Sequence, residues 1–172
     1  PAADTVPPLI AYQAVAHIAG PSGTRDVPVA EFCTGVGKNV LQPGEMLVSL
    51  TLPPQPAKTG GAYQRFIPRN EMDIAVAGAA SWVQLDDAGE TIQSARIALA
   101  AIAPTPVLAQ EAIDFLAGKP ASEETFAEAG ELAKKAARPI SDMRGTDEYR
   151  VHLASVLTKR TLAMAVERAK AN

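Results

Sequence analysis

Few residues of this 172-residue chain have the types and spacing that side-chain catalysis requires. No serine lies in a GxSxG turn, the arrangement that exposes a nucleophile in many hydrolases. The one cysteine, Cys33, rules out an internal disulfide and a zinc site built on paired cysteines. The two histidines, His17 and His152, fall on a predicted strand and a predicted helix, where we expect structural roles. We therefore predict no catalytic residue and no metal ligand on this chain.

Charge and hydropathy argue against two further classes of protein. The net charge is -3, and no block of like charge suited to a nucleic-acid backbone occurs. The longest apolar stretch, residues 74–83, is about half of a membrane span. Residues 35–38 read Gly-Val-Gly-Lys, but they lack the spacing of a GxxxxGK(S/T) phosphate loop, and asparagine follows the lysine. We expect no nucleic acid and no membrane among the partners.

Two positions in the first part of the chain are unusual. Asp4 puts a carboxylate before the rigid pair Pro7 and Pro8. It could accept hydrogen bonds from ligand hydroxyls, or it could cap a helix. Leu47 is the one apolar residue on the polar face of a predicted strand, so another group must cover it.

A third unusual feature is a short polar segment that is followed by a run of small residues. Arg65, Arg69 and Asp73 surround a tight segment that leads into residues 74–80, which read IAVAGAA. Such small side chains let a flat ring or another backbone approach closely. Close packing of a strand on a helix is the alternative explanation.

The elements that must position these residues fall into two parts. Residues 53–61 read PPQPAKTGG, a linker composition, so we predict domains over 1–56 and 61–172. In the first part, Pro7 and Pro8 predict an extended start, and residues 9–19 predict a strand closed by a turn at 20–23.

A second predicted strand in this first part covers residues 45–52. Its alternation predicts a half-buried strand. Met46, Val48, Leu50 and Leu52 would share the apolar face, and Leu47, Ser49 and Thr51 the other.

The second part reads as a sheet followed by helices. Strands are predicted over residues 62–67, 74–85 and 91–102, which form a three-stranded antiparallel sheet within 61–103. Three helices within 106–170 follow, beginning near Pro106, Ser122 and Thr146. The predicted fold class is α+β.

Four segments, in order and at matching spacing, carry a resemblance to a known family. They are residues 1–9 (PAADTVPPL), 41–47 (LQPGEML), 62–75 (AYQRF, then Arg69 and MDIA), and residues 97–106 together with 137–150 (ARPISDMRGTDEYR). The chain resembles the FAD-binding medium subunit of the molybdenum hydroxylases, the oxidoreductase family of xanthine dehydrogenase and aerobic carbon monoxide dehydrogenase. The resemblance covers essentially the whole chain.

The resemblance implies five cofactor-binding residues. Asp4 matches the carboxylate that holds FAD near its ribityl and phosphate region, and Leu47 matches a residue packed at the isoalloxazine ring. Arg65 stands where the family commonly has lysine, so a role at the pyrimidine oxygen is implied with altered geometry. Ile74 stands where some members place an aromatic beside the flavin and would cover the ring. Asp73 would position the flavin next to it.

The resemblance also implies a fold, partners and a role. Residues 1–56 would complete an FAD-binding α/β subdomain, and the three-stranded sheet with three helices would be the C-terminal subdomain. The family's glycine-rich loops for the pyrophosphate would lie upstream, on the N-terminal half of the flavin subunit.

The implied protein is a cytoplasmic flavoprotein component of a heteromeric complex. Electrons would arrive from a molybdenum large subunit through a [2Fe-2S] small subunit. They would leave through FAD to NAD, a quinone or dioxygen. The alternatives are a non-catalytic interaction or assembly module, or a fragment that does not bind FAD by itself.

Overall fold

The computed structural model describes residues 4–69 and 73–172. The first part of the chain consists of short elements: α1 (Val6–Ala11), β1 (Val15–Gly20), β2 (Gly23–Pro28), α2 (Val29–Phe32), β3 (Cys33–Gly35), β4 (Lys38–Asn39) and β5 (Met46–Thr51). The second part has longer ones: β6 (Thr59–Phe66), β7 (Ala77–Leu85), β8 (Ile92–Ala100), β9 (Val107–Leu108), α3 (Gln110–Leu116), α4 (Glu123–Ala133), a 3₁₀ turn (Lys134–Ala136) and α5 (Asp147–Ala171). The predicted α+β class is confirmed.

The strands form antiparallel sheets in the orders β2-β1-β5, β3-β4 and β6-β7-β8-β9. The three predicted strands of the second part correspond to β6, β7 and β8. The short strand β9 was not predicted, because two residues carry no periodicity. It pairs Val107 with Leu99, so the helix predicted from Pro106 begins only at Gln110.

The start of the chain contradicts the predicted extended segment. Pro7 and Pro8 lie in the first turn of α1, where the fixed φ of proline suits a helix and its missing N–H costs no hydrogen bond. The strand predicted over residues 9–19 is therefore limited to β1. The turn after it is as predicted, since Gly20 pairs with Gly23 in the β1–β2 hairpin.

The register of β5 contradicts the strict alternation predicted for it. A bulge interrupts its pairing with β1, so that Leu47 pairs with Ile18 while Leu50 pairs with Ala16. Partners in directly opposed positions point to the same face of a sheet. Leu47 and Leu50 therefore share the face of the buried residues Ala16 and Ile18, and the prediction that Leu47 faces away from the apolar side is wrong. The extra residue of the bulge reverses the alternation.

The predicted half-burial of β5 is also not seen in this chain. β5 is an edge strand, and all six of its residues are exposed. Met46 and Val48 expose 66% and 63% of their surface. Alternation predicts which residues an apolar strand would bury, but burial requires a second layer, and this part of the chain does not place one over β5.

The four-stranded sheet is covered on both faces, which explains the small residues of β7. Ala77, Ala79 and Val83 belong to the main apolar core with α5, and the Ser81 hydroxyl lies 2.7 Å from that of Thr161 on α5. The alternate residues face α1, where Ala80 and Trp82 pack with Ala11. Close packing is thus what the small side chains of β7 provide.

Two of the three predicted helices, α4 and α5, begin at their predicted caps. The hydroxyl of Ser122 accepts a hydrogen bond from the backbone N–H of Thr125 at 3.3 Å, and that of Thr146 accepts one from Tyr149 at 3.2 Å. Acidic residues occupy the first turn of α4 and of α5. Within the described residues, no helix is both long enough and apolar enough to cross a bilayer.

The contact between β6 and α5 generates a stability prediction. A Cβ at Gly60 would lie 2.2 Å from the carbonyl oxygen of Ala165 and 2.4 Å from the nitrogen of Ala169, both of them backbone atoms. The Gly60→Ala variant must therefore separate the helix from the sheet, and we expect it to lower the free energy of unfolding by about 3 kcal/mol. Urea denaturation measures this. In the matched control, Gly35→Ala, the new methyl meets only the flexible Lys38 side chain at 3.7 Å, and an equal loss there would contradict the prediction.

Candidate functional site

The carboxylate of Asp4 is held by two residues of β6. Its Oδ1 accepts a hydrogen bond from the Tyr63 hydroxyl at 3.2 Å, and its Oδ2 accepts one from Nη1 of Arg65. Tyr63 and Arg65 are two positions apart on β6, so their side chains share one face of the strand. Two of the five predicted site residues, Asp4 and Arg65, are thus brought into contact although they are 61 positions apart.

The charges in this cluster fix which groups donate. Arg65 and Asp4 form an ion pair whose side chains are each about one third exposed. Burial, followed by the negative charge of Asp4, raises the pKa of Tyr63 well above its ordinary value of about 10. The phenol therefore stays protonated across the physiological range and donates its hydrogen to Asp4.

Asp73 closes the loop between β6 and β7. Its Oδ2 accepts a hydrogen bond from the backbone N–H of Arg69 at 3.1 Å, and its Oδ1 accepts one from that of Ile74 at 2.9 Å. Only 6% of the Asp73 side chain is exposed. Both bonds are to the backbone of its own loop, and the second one orients Ile74. Residues 1–3 and Met72, which contribute to the sequence motifs, lie outside the described residues.

Ile74 is 52% exposed and lines a cavity of about 270 Å³. Val36, in the β3–β4 turn, and Pro104, after β8, form other parts of its wall. Ile140 and Arg138, from the segment before α5, complete the rim. The cavity is therefore a mainly apolar space between the two parts of the chain, and its charged lining residues are Arg138, Asp142, Arg144 and Arg150.

Arg150, in the first turns of α5, lines this cavity and bonds to other parts of its wall. Its Nη1 donates to the carbonyl oxygens of Val76 at 2.9 Å and Ala101 at 3.0 Å, and its Nη2 lies 2.7 Å from Oδ1 of Asp142. Ala101 has a φ of 62°, which is rare for a residue other than glycine. Hydrogen bonds from the Arg144 N–H and from Arg150 lower the pKa of Asp142.

Leu47 lies on β5, an edge strand of the first sheet, whereas Asp4 meets Arg65 on β6 of the four-stranded sheet. Glu45, two residues before Leu47, accepts two hydrogen bonds from the guanidinium of Arg25, at 2.8 and 2.7 Å. Glu45 also accepts from the backbone N–H of Gln42 at 2.7 Å, and Arg25 donates to the carbonyl of Val40 at 2.8 Å. This clamp attaches the loop that carries the PGE motif to β2 and so fixes the start of β5.

Sequence reasoning missed Tyr63 and Arg150 as contributors to the site. Tyr63 was part of a recognised motif, but an aromatic residue on a strand is by default a core residue. Arg150 occupies a helix start whose flanking residues are polar, and only its burial at 5% exposure distinguishes it from a solvated arginine. A buried guanidinium needs acceptors, and its two Nη groups find two carbonyls and one carboxylate, whereas its Nε is buried without a hydrogen-bond partner among the described residues.

His17 is held between two neighbouring strands. Its Nδ1 lies 2.7 Å from Oδ1 of Asp26 on β2, and its Nε2 lies 2.8 Å from Oγ1 of Thr51 on β5. These bonds join the three strands of the first sheet, which agrees with a structural role. Across the part of the chain that the structure describes, no group of three or more His, Cys, Asp or Glu residues is arranged to hold a metal ion.

Two family models match the chain and divide it between them. The model described as the FAD binding domain in molybdopterin dehydrogenase matches residues 1–55. The model described as the CO dehydrogenase flavoprotein C-terminal domain matches residues 62–165.

Individual relatives are similar over nearly the whole chain. The chain is 34% identical over 165 residues to the putative xanthine dehydrogenase FAD-binding subunit XdhB of Escherichia coli (strain K12), covering 95% of this chain and 56% of that protein. It is 36% identical over 155 residues to the carbon monoxide dehydrogenase medium chain of Afipia carboxidovorans, covering 90% and 51%.

A solved structure agrees with these relatives. The structure of carbon monoxide dehydrogenase from Hydrogenophaga pseudoflava matches with a TM-score of 0.91 at 32% identity, covering 97% of this chain and 57% of that one. The chain thus spans about half the length of the relatives that it matches.

The clamp on Glu45 generates a pH prediction. Hydrogen bonds from Arg25 and then from the Gln42 N–H lower the pKa of Glu45 from 4.5 to about 2. A carboxyl whose pKa is lower in the folded state stabilises the fold above its unfolded pKa, and this contribution is lost as the pH falls from about 4.5 towards 2. We expect Glu45→Gln to be less stable than the wild type at pH 6, with the difference shrinking below pH 4.5, as measured by urea denaturation. A pH-independent difference, or an equal effect of Glu128→Gln on the exposed face of α4, would contradict it.

Proposed function

Because this chain belongs to the family of FAD-binding medium subunits of the molybdopterin dehydrogenases, we propose that it is the second half of a flavin-binding electron-transfer subunit. It would work as part of a multi-subunit oxidoreductase. The structural observation that carries the proposal is the cluster of Asp4, Tyr63 and Arg65, which joins an acceptor and a cation at one end of the four-stranded sheet. These groups match the polar functions of a flavin cofactor.

The residues present fit parts of FAD. Asp4 offers carboxylate lone pairs to ribityl hydroxyls, and the guanidinium of Arg65 has donors for a pyrimidine oxygen. The exposed side chain of Ile74 offers an apolar cover for the ring, and Asp73 holds the backbone of Ile74 through the bond to its N–H. Leu47 would contact the ring from the other sheet. None of these residues forms a cradle of backbone amides for the pyrophosphate.

We propose that the cradle comes from the N-terminal half of the flavin subunit. Two observations support this. The curated relatives are about twice as long as the chain. On the edge strand β5, Leu47 and Leu50 are exposed on one face and Met46 on the other, and Val48 and the following Leu52 are exposed as well, so this edge offers apolar side chains to another layer. Burying these side chains would contribute favourably to the association of the two halves.

We propose the division of labour in the complex from the family to which this chain belongs. FAD, when bound, supplies reversible electron transfer from [2Fe-2S] clusters to an acceptor such as NAD, a quinone or dioxygen. The chain itself binds and orients the cofactor and shields its ring from water. Substrate oxidation would take place at molybdenum on a large subunit, and the clusters would lie on a small subunit. We place this complex in the cytoplasm.

A second candidate is an interaction or assembly module that does not bind FAD. The exposed apolar residues of β5 favour this candidate as well, because they suit docking whether or not a cofactor is present. The two candidates differ in whether FAD is bound in the assembled complex, which the absorbance of the flavin measures directly.

The first prediction from this proposal concerns flavin content. The complete flavin subunit, with this chain as its C-terminal part, should purify with flavin absorbance and close to one FAD per subunit. The chain alone should bind FAD weakly, since it lacks the phosphate cradle. A complete subunit that stays colourless and cannot be reconstituted with FAD would eliminate the flavin role and favour the assembly module.

The second prediction concerns two residues with separable effects. Asp4→Ala removes the acceptor for the ribityl hydroxyls and should weaken FAD binding about tenfold to a hundredfold, as measured by flavin fluorescence on titration. Leu47→Ala should leave the affinity within about threefold but change the flavin spectrum and the access of a soluble quencher. Asp87→Ala, in the hairpin at the opposite end of the sheet, is the control. Unchanged affinity and spectra in both variants would refute the site assignment.

A further inference from the structure

We propose that Tyr63 is a positioning residue of the flavin site: its hydroxyl holds the carboxylate of Asp4 in the orientation that meets the cofactor. The inference rests on the proposed flavin-binding function and adds to it a residue that would act through Asp4. It follows from the bonds, the packing and the surroundings of Tyr63.

Among the residues that the structure describes, the two hydrogen bonds to Asp4 leave half of the accepting capacity of its carboxylate unused. A carboxylate has about four lone pairs that accept hydrogen bonds. The Tyr63 hydroxyl occupies one on Oδ1, and Arg65 occupies one on Oδ2. One lone pair then remains on each oxygen. The bonds from Tyr63 and Arg65 orient the carboxylate and so set the direction of both remaining lone pairs. Two such acceptors side by side suit the neighbouring hydroxyls of a polyol chain.

The position of the Tyr63 hydroxyl is set by the sheet. The Tyr63 ring lies beside Gly78 on β7, where a Cβ would be 3.0 Å from the hydroxyl oxygen and 3.3 Å from Cε2. The ring also packs against the cluster that includes Ala11, Ala80 and Trp82. The hydroxyl thus projects from a ring that is supported along its length, and the absence of a side chain at Gly78 leaves the room it needs.

Arg65 and Tyr63 therefore have different roles towards Asp4. Arg65 supplies charge from a long side chain that is one third exposed, and its guanidinium has donors beyond the one bonded to Asp4. Tyr63 is more rigid, has two side-chain torsions and donates from a fixed point. Tyr63 thus sets the orientation of the Asp4 carboxylate, whereas Arg65 compensates its negative charge.

The alternative is that Tyr63 only packs in the interface between α1 and the sheet. A packing role predicts lower stability when the side chain is altered, with no particular link to Asp4. The phenylalanine variant separates the two, because it keeps the ring and removes only the hydroxyl. Tyr12 offers a matched control, since it is a tyrosine in the same cluster whose ring lies against Gly61.

The test is a double-mutant cycle on the complete flavin subunit, with FAD affinity measured by fluorescence titration. Tyr63→Phe should weaken FAD binding roughly threefold to tenfold, and Tyr12→Phe should not. In the Asp4→Ala background, Tyr63→Phe should have no further effect on affinity, because the carboxylate that it positions is gone. A full tyrosine effect that persists in this background, or wild-type affinity in Tyr63→Phe, would overturn the proposal.

A measurement without cofactor separates this inference from the proposed function. The ¹³C chemical shift of the Asp4 carboxyl carbon should change in Tyr63→Phe and stay constant in Tyr12→Phe. An unchanged shift in Tyr63→Phe refutes the positioning contact even if FAD binds normally. If the shift changes while the wild-type subunit binds no FAD, the proposed function fails, and the flavin role of Tyr63 fails with it.

Discussion

The close approach of α5 and α1 to opposite faces of β7 is the constraint on which this structure depends. Both approaches require small residues, and the sequence supplies Ala77, Ala79 and Ala80. Because α1 lies directly on the sheet, the residues just before it reach the end of β6, and Asp4 meets Arg65 there. The cluster of Asp4, Tyr63 and Arg65, which we propose to bind the cofactor, is thus a consequence of core packing: the helix that shields one face of the sheet also delivers the carboxylate.

Much of the second part of the chain could be predicted because its signals are local. The strands β6, β7 and β8 are separated by segments rich in turn-forming residues, and the caps Ser122 and Thr146 begin α4 and α5. In the first part of the chain, the same local signal is compatible with two different structures. A Pro-Pro pair suits an extended segment and also the first turn of a helix, and the packing of α1 on the sheet decides between them. A bulge in β5 leaves no mark on a pattern of alternating residues.

The candidate site was predicted residue by residue but not as an arrangement. Motif resemblance identified Asp4 and Arg65 separately, whereas their contact depends on a fold that brings positions 61 apart together. It also gave no indication that Asp73 binds the backbone of its own loop. Arg150 shows the same limit, because its acceptors are backbone carbonyls, which every sequence has and no sequence pattern marks.

The ion pair between Asp4 and Arg65 also determines which ligands the site can attract. A lone carboxylate would repel a dinucleotide, whose two linked phosphates are negative, and this repulsion would act over roughly a Debye length, about 8 Å at physiological ionic strength. Paired with the guanidinium, the carboxylate presents no net charge at that distance and still offers lone pairs at close range. The site therefore combines an acceptor at contact distance with electrostatic neutrality farther out. An anionic cofactor can therefore approach the Asp4–Arg65 pair without a bound cation to neutralise its phosphates.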